Sequence, residues 1–496
     1  MGSTKINSLT RLLSTVGSGV IGACIGFGGI YFAYTQGLLS WSSTAERAPL
    51  LVLGLGIFGA LGVFLLFWLP SAWSRPALAT FLGVWLGVSG GVVAPGVTGE
   101  TAVWDQAPES VVYALDVREA PIDSVVLDAT NNPLEGERST LNYMAALPGN
   151  EALMVSSAGT EIFDRLEDPE FAQDSLRAIV SVWDDSLGLV GKADITTFEP
   201  SIQLVRGIYF DPSASKLYIS NLPLNSDCFG LQLWSLDVDV AGPEITGAEM
   251  LYTTDPCLDS MTGAERFGGR IVADTDGTVY MSVGDFGYGV STVREEQQDG
   301  TYSNRPEILQ ETSSIGSVVA VSSDGSSSVV SRGHRNPQGL YFDPVSGLLW
   351  ESEHGPKGGD EVNLIEAGND YGWPDVTYGG PYGGPPQPSN EWDLGRWYGA
   401  DHGDFTEPVF SWLPSIAASQ LLVYQGDAFS GWKGDLLVTS FKGNIERLKL
   451  DGTRVVLNET IGIDVRPRDM IELSDGTLLI TTDSSTFMTI SPGGTN

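Results

Sequence analysis

Residues 339–353 have the sequence GLYFDPVSGLLWESE, and this stretch decides the fold. An apolar, β-rich segment leads into an Asp-Pro-Val-Ser-Gly turn, and a second apolar segment follows. Two such segments around a turn of this chemistry predict a β-hairpin, because Pro and Gly supply the backbone angles that reverse the chain. We therefore expect two antiparallel strands here.

Five further stretches repeat this hairpin pattern. Units of about 40–50 residues or somewhat more, each with four strands, are typical of a β-propeller. Six copies therefore predict an all-β fold, a six-bladed β-propeller over residues 141–496. The other copies are YMAALPGNEALMVSS (143–157), GIYFDPSASKLYISN (207–221), RIVADTDGTVYMSVG (270–284), GDAFSGWKGDLLVTSF (426–441) and DMIELSDGTLLITTD (469–483).

The spacing of the copies makes two further predictions. The last copy begins at residue 469 and leaves little chain for the rest of its blade. Segment 98–140 is therefore predicted to be a linker and a strand that closes the ring. Segments 160–200 and 285–335 are predicted to be long connections, which in a propeller lie on the faces and carry function.

The first 97 residues have a different composition. They contain three nearly uncharged runs, at 14–37, 49–70 and 76–97, and each is about long enough to cross a bilayer as a helix. We expect residues 1–97 to form three transmembrane α-helices that precede the propeller and anchor it in the lipid bilayer.

Basic residues before the first run predict the orientation. Lys5 and Arg11 favour a cytoplasmic N-terminus, so three crossings of the inner membrane place the propeller in the periplasm. The runs are rich in glycine, and Gly22 and Gly26 form a GxxxG motif that lets helices approach closely. Two interpretations stay open: the three helices pack on each other, or they bind a membrane-protein partner.

The net charge of −36 is unevenly distributed. Residues 1–97 hold four basic residues and one acidic residue, so the rest of the chain carries 22 basic and 61 acidic residues. Such an acidic surface repels phosphate backbones, which excludes a nucleic-acid partner.

Five cations nevertheless lie at equivalent ends of hairpins four, five and six. A cationic cluster in an acidic protein indicates a site for an anionic ligand. The alternative is that each cation pairs with a neighbouring acid, such as Lys357 with Asp360 or Arg468 with Asp469. The five residues are Arg335, Lys357, Lys442, Arg466 and Arg468.

Two of the three cysteines lie in polar loops of the large domain, Cys228 in SDCFG and Cys257 in DPCLD. An extracytoplasmic location would permit a disulfide between them. The sequence leaves this pairing open, because it does not give the geometry of the two loops.

Five motifs resemble the PQQ-dependent sugar dehydrogenases (glucose/sorbosone dehydrogenase family). They occur in the family's order, and the resemblance as a whole covers roughly residues 140–490. The three-span N-terminus is not part of the usual family pattern. The motifs are FGGRIVADTDGTVYMSVGD (267–285), GHRNPQGLYFDPVSGLLWESEHGPKGGDEVNLIEAGNDYGWP (333–374), WLPSIAASQL (412–421), GDAFSGWKGDLLVTSFKGN (426–444) and RPRDMIELSDGT (466–477).

The resemblance implies the residues that bind the cofactor PQQ, a quinone with three carboxylates. Arg335 and Asn336 match the pair that grips it near its reactive carbonyls. Lys442 matches a lysine that contacts its ring, and Trp412 matches an aromatic residue that stacks on the ring plane. Arg466 and Arg468 match the arginines that bind the carboxylates of PQQ.

Two calcium sites are also implied by the resemblance. Gly355 and Pro356 match the backbone carbonyls that hold Ca²⁺ against the cofactor. Glu361 and the carbonyl of Tyr371 match ligands of a second, structural calcium ion. Glu407 is a further candidate for that second site, while the aspartate that the family contributes has no counterpart, since residue 381 is proline.

The proton-accepting residue departs from the family pattern. The family places a histidine at the position of Arg266, and arginine stays protonated, so it cannot act as a general base. Asp285 matches the aspartate that orients that histidine and is free to pair with Arg266. Glu265 occupies the place of an acidic sugar contact and is the candidate substitute base.

Three functions therefore remain open. The first is a membrane-anchored, PQQ- and calcium-dependent dehydrogenase that oxidises an aldose or another alcohol. The second is a non-catalytic propeller that binds a sugar or a PQQ-like anion. The third is a structural propeller subunit of a membrane complex.

Overall fold

The computed structural model describes residues 115–121, 140–158, 176–184, 188–224, 229–258, 265–289, 306–310, 313–380, 403–483 and 485–493. The predicted spans at 14–37, 49–70 and 76–97 lie outside these ranges. Among the residues described, no helix is both long enough and apolar enough to span a membrane.

The described strands form six four-stranded antiparallel sheets, which are the predicted six blades. After β1 (Leu115–Pro121), the first three blades are β2 (Thr140–Leu147), β3 (Glu151–Ala158), β4 (Ile179–Asp184) and β5 (Gly188–Asp194); β6 (Leu204–Asp211), β7 (Lys216–Leu222), β8 (Gln232–Asp239) and β9 (Glu244–Thr253); and β10 (Gly268–Ala273), β11 (Val279–Val283), β12 (Ser317–Val321) and β13 (Ser327–Arg332).

The remaining three blades follow the same up-and-down order. They are β14 (Pro337–Asp343), β15 (Leu348–Glu353), β16 (Asp360–Ile365) and β17 (Phe410–Trp412); β18 (Ala418–Val423), β19 (Leu436–Ser440), β20 (Asn444–Asp451) and β21 (Arg454–Gly462); and β22 (Pro467–Glu472), β23 (Leu478–Thr482) and β24 (Thr486–Pro492), with β1 as the fourth strand.

The ring closes through this shared sixth blade. β1 runs antiparallel to β24, with Leu115 opposite Pro492 and Pro121 opposite Thr486. A strand from the start of the propeller thus completes the blade formed by its end, and this arrangement removes an open seam between the first and last blades.

The prediction of long connections at 160–200 and 285–335 is wrong in part. The first segment contains β4 and β5, and the second contains β12 and β13, so they supply the outer strands of blades 1 and 3. Outer strands are hard to recognise because they are partly solvated. β13, for example, has the sequence SSVVSR and only one buried residue.

Apolar side chains pack between neighbouring blades. The first strands β2, β6, β10, β14, β18 and β22 contact one another in that order around the ring. One core joins blades 1 and 2 through Leu153, Val155, Ile208 and Leu217, all buried. Burying such side chains stabilises the fold by about 1.5–3 kcal/mol each, so the ring holds the blade ends in fixed positions.

Short elements complete the described chain. A single-turn helix, α1 (Ile195–Phe198), begins at Asp194, whose side chain accepts hydrogen bonds from the first turn, and a 3-10 turn covers Glu307–Leu309. Cys257 is disulfide-bonded. Cys228, the partner considered from the sequence, lies outside the described residues.

Candidate active site

Most of the predicted site residues lie on one face of the propeller. In every blade the first strand starts, and the second strand ends, on this face. Arg266 directly precedes the Phe267 that leads into β10, Arg335 lies just before β14, and Arg466 lies just before β22. Asp285, Gly355 and Lys442 follow the second strands of blades 3, 4 and 5.

A glycine turn positions Arg335 and Asn336. Gly333 has φ +80°, and a Cβ there would lie 2.3 Å from Asp370 Oδ1, so any side chain would clash. After this turn the Arg335 and Asn336 backbone N–H groups both donate to Glu353 Oε2, at 2.6 and 3.3 Å. The buried carboxylate therefore fixes the backbone of the Arg-Asn pair.

The Arg335 side chain reaches the predicted calcium loop. Its Nη1 donates to the carbonyls of His354 at 3.0 Å and Gly355 at 2.9 Å. Gly355 requires glycine, because a Cβ would lie 2.1 Å from Gly359 O. Pro356 follows in the same tight turn, so the two predicted calcium carbonyls and Arg335 do come together.

Phe441 forms the centre of the cationic group. The guanidinium carbons of Arg466 and Arg468 lie 4.1 and 4.5 Å from its ring centroid. The His354 ring meets it edge-on at 5.6 Å. Burial lowers the pKa of His354, so its imidazole is neutral at pH 7. The sequence analysis missed Phe441, although it stands directly before Lys442 in SFKGN.

One carboxylate balances the two C-terminal arginines. Asp483 accepts from Arg466 Nε at 2.5 Å and from Arg468 Nε at 2.7 Å. The predicted pairing of Arg468 with Asp469 is not formed. Lys442 Nζ contacts the backbone carbonyl of Ser415. Two guanidiniums and one carboxylate therefore meet at this part of the face.

Asp469 instead pairs with Arg270, and this contact joins blades 3 and 6. Arg270 Nη1 lies 2.7 Å from Asp469 Oδ1, and both side chains are buried. Arg270 Nη2 donates to Arg468 O at 2.8 Å, and Nε donates to Gln338 O of blade 4 at 2.7 Å. Arg270 therefore sets the position of the cationic group relative to blade 3.

Trp412 packs in the core rather than on the open face. It is 6% exposed, in a cluster with Trp350 and Val362, and it meets Phe410 edge-on at 5.0 Å. Its indole Nε1 is buried with no hydrogen-bond partner among the described residues. The aromatic ring that faces the arginines is thus that of Phe441.

The proton-accepting side is built around Arg266. This residue has φ +61°, a left-handed conformation that is uncommon outside glycine. Its Nε lies 3.0 Å from Asp285 Oδ1 and 3.3 Å from Glu265 Oε1, and its Nη2 donates to Gly289 O at 3.4 Å. The predicted pairing of Arg266 with Asp285 is present. The Glu265 side chain is 68% exposed, whereas that of Asp285 is fully buried.

Asp285 is saturated with donors. Besides its ion pair with Arg266, which lacks hydrogen-bond geometry at Nε, its oxygens accept from the Trp373 indole at 2.7 Å and from the Gly287 and Gly289 amides at 3.0 and 3.1 Å. Burial raises its pKa to about 6, and the Arg266 charge opposes part of that shift. These contacts suit a residue that positions Arg266 more than one that accepts a substrate proton.

Trp373 joins the two halves of the site, and the sequence analysis missed it. Its ring lies 5.3 Å below the guanidinium carbon of Arg335. The Asp285 backbone N–H also donates to Arg335 O at 2.9 Å. The YGWP motif was the available signal, but the sequence does not reveal that this indole contacts Asp285.

The residues predicted for the second calcium line a small cavity. Glu361 and Tyr371 lie there with Thr377. Burial raises the pKa of Glu361 well above its ordinary value, with neighbouring carboxylates adding to the shift. Glu407 accepts a 2.5 Å hydrogen bond from the Tyr378 hydroxyl and acts electrostatically on Glu361. Residue 381 lies outside the described ranges.

Sequence comparisons agree with this architecture. A profile of the Glucose / Sorbosone dehydrogenase family matches residues 210–489. Aldose sugar dehydrogenase YliI of Escherichia coli is 30% identical over 47% of this chain and 62% of its own length. Quinoprotein glucose dehydrogenase B of Acinetobacter calcoaceticus is 30% identical over 44% of this chain and 59% of its own length.

A solved structure supports the fold independently. The soluble aldose sugar dehydrogenase of Escherichia coli, in its apo form, superposes with a TM-score of 0.54 at 22% identity, over 76% of this chain and 99% of that one. The family profile covers more than half of the sequence. The chain therefore belongs to the glucose/sorbosone dehydrogenase family.

Proposed function

We propose that the chain is a quinoprotein dehydrogenase that binds PQQ and calcium and oxidises a hydroxyl group of an aldose. The observation that carries this proposal is the cationic group around Phe441. Three blades contribute to it, with Arg335 from blade 4, Lys442 from blade 5, and Arg466 and Arg468 from blade 6. The names of the two relatives, an aldose sugar dehydrogenase and a quinoprotein glucose dehydrogenase, agree with it.

The donor set fits a planar tricarboxylate. Arg466 and Arg468 lie beside Phe441 and both pair with Asp483, and two guanidiniums at one place suit ligand carboxylates. An arginine guanidinium can donate two parallel hydrogen bonds to one carboxylate, and an aromatic ring provides a surface on which a planar ligand can stack. Arg466, Arg468 and Lys442 would hold the carboxylate side, and Arg335 and Asn336 the quinone side.

The Gly355–Pro356 turn fits a calcium ion. Backbone carbonyl oxygens are suitable calcium ligands. The Gly355 carbonyl accepts a hydrogen bond from Arg335, so it points towards the same space as the guanidinium. When bound, PQQ would supply the hydride acceptor and calcium the Lewis acid that polarises it.

The chain's own residues would handle the proton. Glu265 has an exposed carboxylate next to Arg266, and we assign it as the base that accepts the proton of the sugar hydroxyl. Arg266 would orient Glu265 and the sugar oxygens by donating hydrogen bonds. Asp285, held by Trp373 and two backbone amides, would position Arg266.

A second candidate function rests on the same pair. Arg266 and Asp285 neutralise each other where the family has a base, and this favours a non-catalytic propeller. Such a protein would bind a sugar or a PQQ-like anion, or serve as a subunit of a membrane complex. It would keep the cationic group and lack turnover.

We further propose that residues 1–97 anchor the chain in the inner membrane, with a cytoplasmic N-terminus and a periplasmic propeller. The three apolar runs and the placement of Lys5 and Arg11 support this topology. Protease added to intact spheroplasts should then digest the propeller. Digestion only after the membrane is opened would contradict the proposed orientation.

Dye reduction tests the enzymatic proposal. The purified full chain, with PQQ and Ca²⁺ added, should reduce an artificial electron acceptor when aldoses are supplied. Glu265→Gln should lower the rate by about 100-fold or more, since it cannot accept a proton. Glu249→Gln, an exposed acid on β9, is the matched control. Cofactor binding without turnover would instead favour the non-catalytic propeller.

A further inference from the structure

A second cluster of ionisable groups lies behind the Arg-Asn pair, inside the protein. Glu351 and Glu353 stand on the same face of β15, and Asn363 on β16 lies opposite Glu351 in the antiparallel register. His334 comes from the turn between β13 and β14. The side chains of His334, Glu351 and Asn363 are fully buried, and Glu353 is 4% exposed.

The donor atoms of this cluster converge. One ring nitrogen of His334 and one oxygen each from Glu351 and Glu353 all lie within 4.8 Å of one another. His334 Nδ1 is 3.2 Å from Glu353 Oε1 and 3.9 Å from Glu351 Oε2. Atoms at this spacing can share one ion, because metal–ligand distances near 2.0–2.3 Å place the ligands up to about 4.6 Å apart.

Two oxygens of the cluster lack hydrogen-bond partners. Among the described residues, Glu351 Oε1 and Asn363 Oδ1 are buried and unpartnered. The Asn363 amide lies between the carboxylates, since its Nδ2 is 3.0 Å from Glu351 Oε2 and 3.2 Å from Glu353 Oε1. Rotating this amide by 180° would exchange its nitrogen and oxygen. Oδ1 would then lie between the carboxylates and could act as a fourth ligand.

The outer contacts are those expected around a metal ligand set. The second ring nitrogen of His334 lies 2.9 Å from Ser331 Oγ, and Nδ1 faces the carboxylates, hydrogen-bonded with Glu353 Oε1 at 3.2 Å. Glu353 Oε2 is held by the Arg335 and Asn336 amides, which leaves Oε1 for the cluster. Such second contacts fix the tautomer and direction of a ligand.

The charge of the buried Glu351 and Glu353 carboxylates also favours a bound cation. Two ionised carboxylates at this depth need a compensating positive charge, because burying unpaired charge costs several kcal/mol. Either a proton or a cation therefore occupies the cluster.

We propose that His334, Glu351, Glu353 and Asn363 bind a divalent transition-metal ion, and that Zn²⁺ fits best. One imidazole nitrogen with carboxylate and amide oxygens suits zinc better than calcium, which prefers all-oxygen sets. With no solvent exposure and four protein ligands, the site is closed and structural. Its ligands differ from those predicted for the two calcium ions, although Glu353 also lines the cavity with Glu361 and Tyr371. Through Glu353 the site braces the backbone of Arg335 and Asn336.

Metal analysis of the purified full chain tests the site. Elemental mass spectrometry after dialysis against metal-free buffer should find about one zinc per chain, retained without added PQQ. Glu351→Gln should lower this content at least fivefold. Glu446→Gln, a buried glutamate on β20 in blade 5, should keep it. Equal zinc content in the wild type and in Glu351→Gln would overturn the proposal.

Anomalous X-ray diffraction of wild-type crystals makes the test independent of variant folding. Data collected on both sides of the zinc absorption edge should show a peak next to His334 Nδ1. The absence of a peak in crystals grown with Zn²⁺ would assign the cluster to a protonated Glu351 and overturn the metal site.

Discussion

Blades 4 to 6 and blade 3 meet on one face of the propeller but balance their charges differently. Around Phe441, Arg466 and Arg468 both pair with Asp483, which puts two guanidiniums beside one carboxylate. In blade 3, Arg266 lies between two acids, Glu265 and Asp285. The first region is suited to bind an anion, and the second is closed by internal pairing.

This difference shows that anion binding and proton transfer can change independently within one site. Binding an anion needs several cationic side chains at one place, and the residues around Phe441 provide them. Proton transfer needs a group that exchanges a proton near neutral pH, and the guanidinium of Arg266 cannot do so because it stays protonated. The function of the chain therefore depends on whether Glu265 substitutes for that missing base.

The largest effect is expected where the two regions are joined. Arg270→Met removes the partner of the buried Asp469 and three hydrogen bonds between blades. Leaving a buried carboxylate unpaired should lower the free energy of unfolding by about 3–5 kcal/mol. Urea denaturation measures this change.

A matched control for Arg270 is Lys433→Met, which breaks an exposed pair with Asp427. Its loss should stay within about 1 kcal/mol. Similar losses in both variants would mean that Arg270 does not join the regions.

The pH dependence of stability should identify Asp285. Its raised pKa of about 6 means that the folded state binds this proton more tightly than the unfolded chain. Stability from this group is thus greatest in acid and falls as pH rises to about 6. Relative to Asp285→Asn, the wild type should lose about 2–3 kcal/mol between about pH 4 and pH 7. A difference that is constant or grows with pH would contradict the assignment.

The cationic group should lose cofactor affinity when one arginine is removed. Arg468→Ala should raise the Kd for PQQ roughly 30-fold, about 2 kcal/mol, because a charged hydrogen-bond donor is lost. Titration by tryptophan fluorescence measures it. Arg454→Ala, at an exposed pair with Asp451, should change the Kd less than about twofold. Equal Kd values for the two variants would exclude Arg468 from the site.

The smallest expected change is an increase in the rate of sugar oxidation. Arg266→His would place an imidazole next to Asp285, and we expect kcat/KM for aldoses to rise about tenfold. Arg266→Gln is the control, because an amide also breaks the pair but cannot accept a proton. If both variants oxidise sugar at the same rate, position 266 does not limit proton transfer.

The sequence predicts the inner half of each blade better than the outer half. The hairpins at 207–221 and 339–353 correspond to first and second strands, which are buried on both faces and carry clear turns. The third strand β12 is buried but follows a long segment, and the fourth strand β13 is partly solvated, so neither shows the hairpin pattern. The three membrane spans stay a prediction, because they lie outside the described residues.

For the site, motifs predict which chain segments meet but not every contact. Arg335 and Gly355 were expected on one wall, and a hydrogen bond joins them. Phe441, Trp373 and the contact between Arg270 and Asp469 depend on packing across blades. The proposed metal site depends on register, because β15 and β16 pair Glu351 with Asn363, and the turn at Gly333 brings in His334.

Titration of the purified full chain with PQQ in the presence of Ca²⁺ tests the central claim most directly. Visible absorbance and tryptophan fluorescence should report saturable binding with about one PQQ per chain, weakened by high salt because the contacts are ionic. This result is expected whether or not the chain turns over sugar. No spectral change at any PQQ concentration would contradict the assignment of the Phe441 group as a cofactor site.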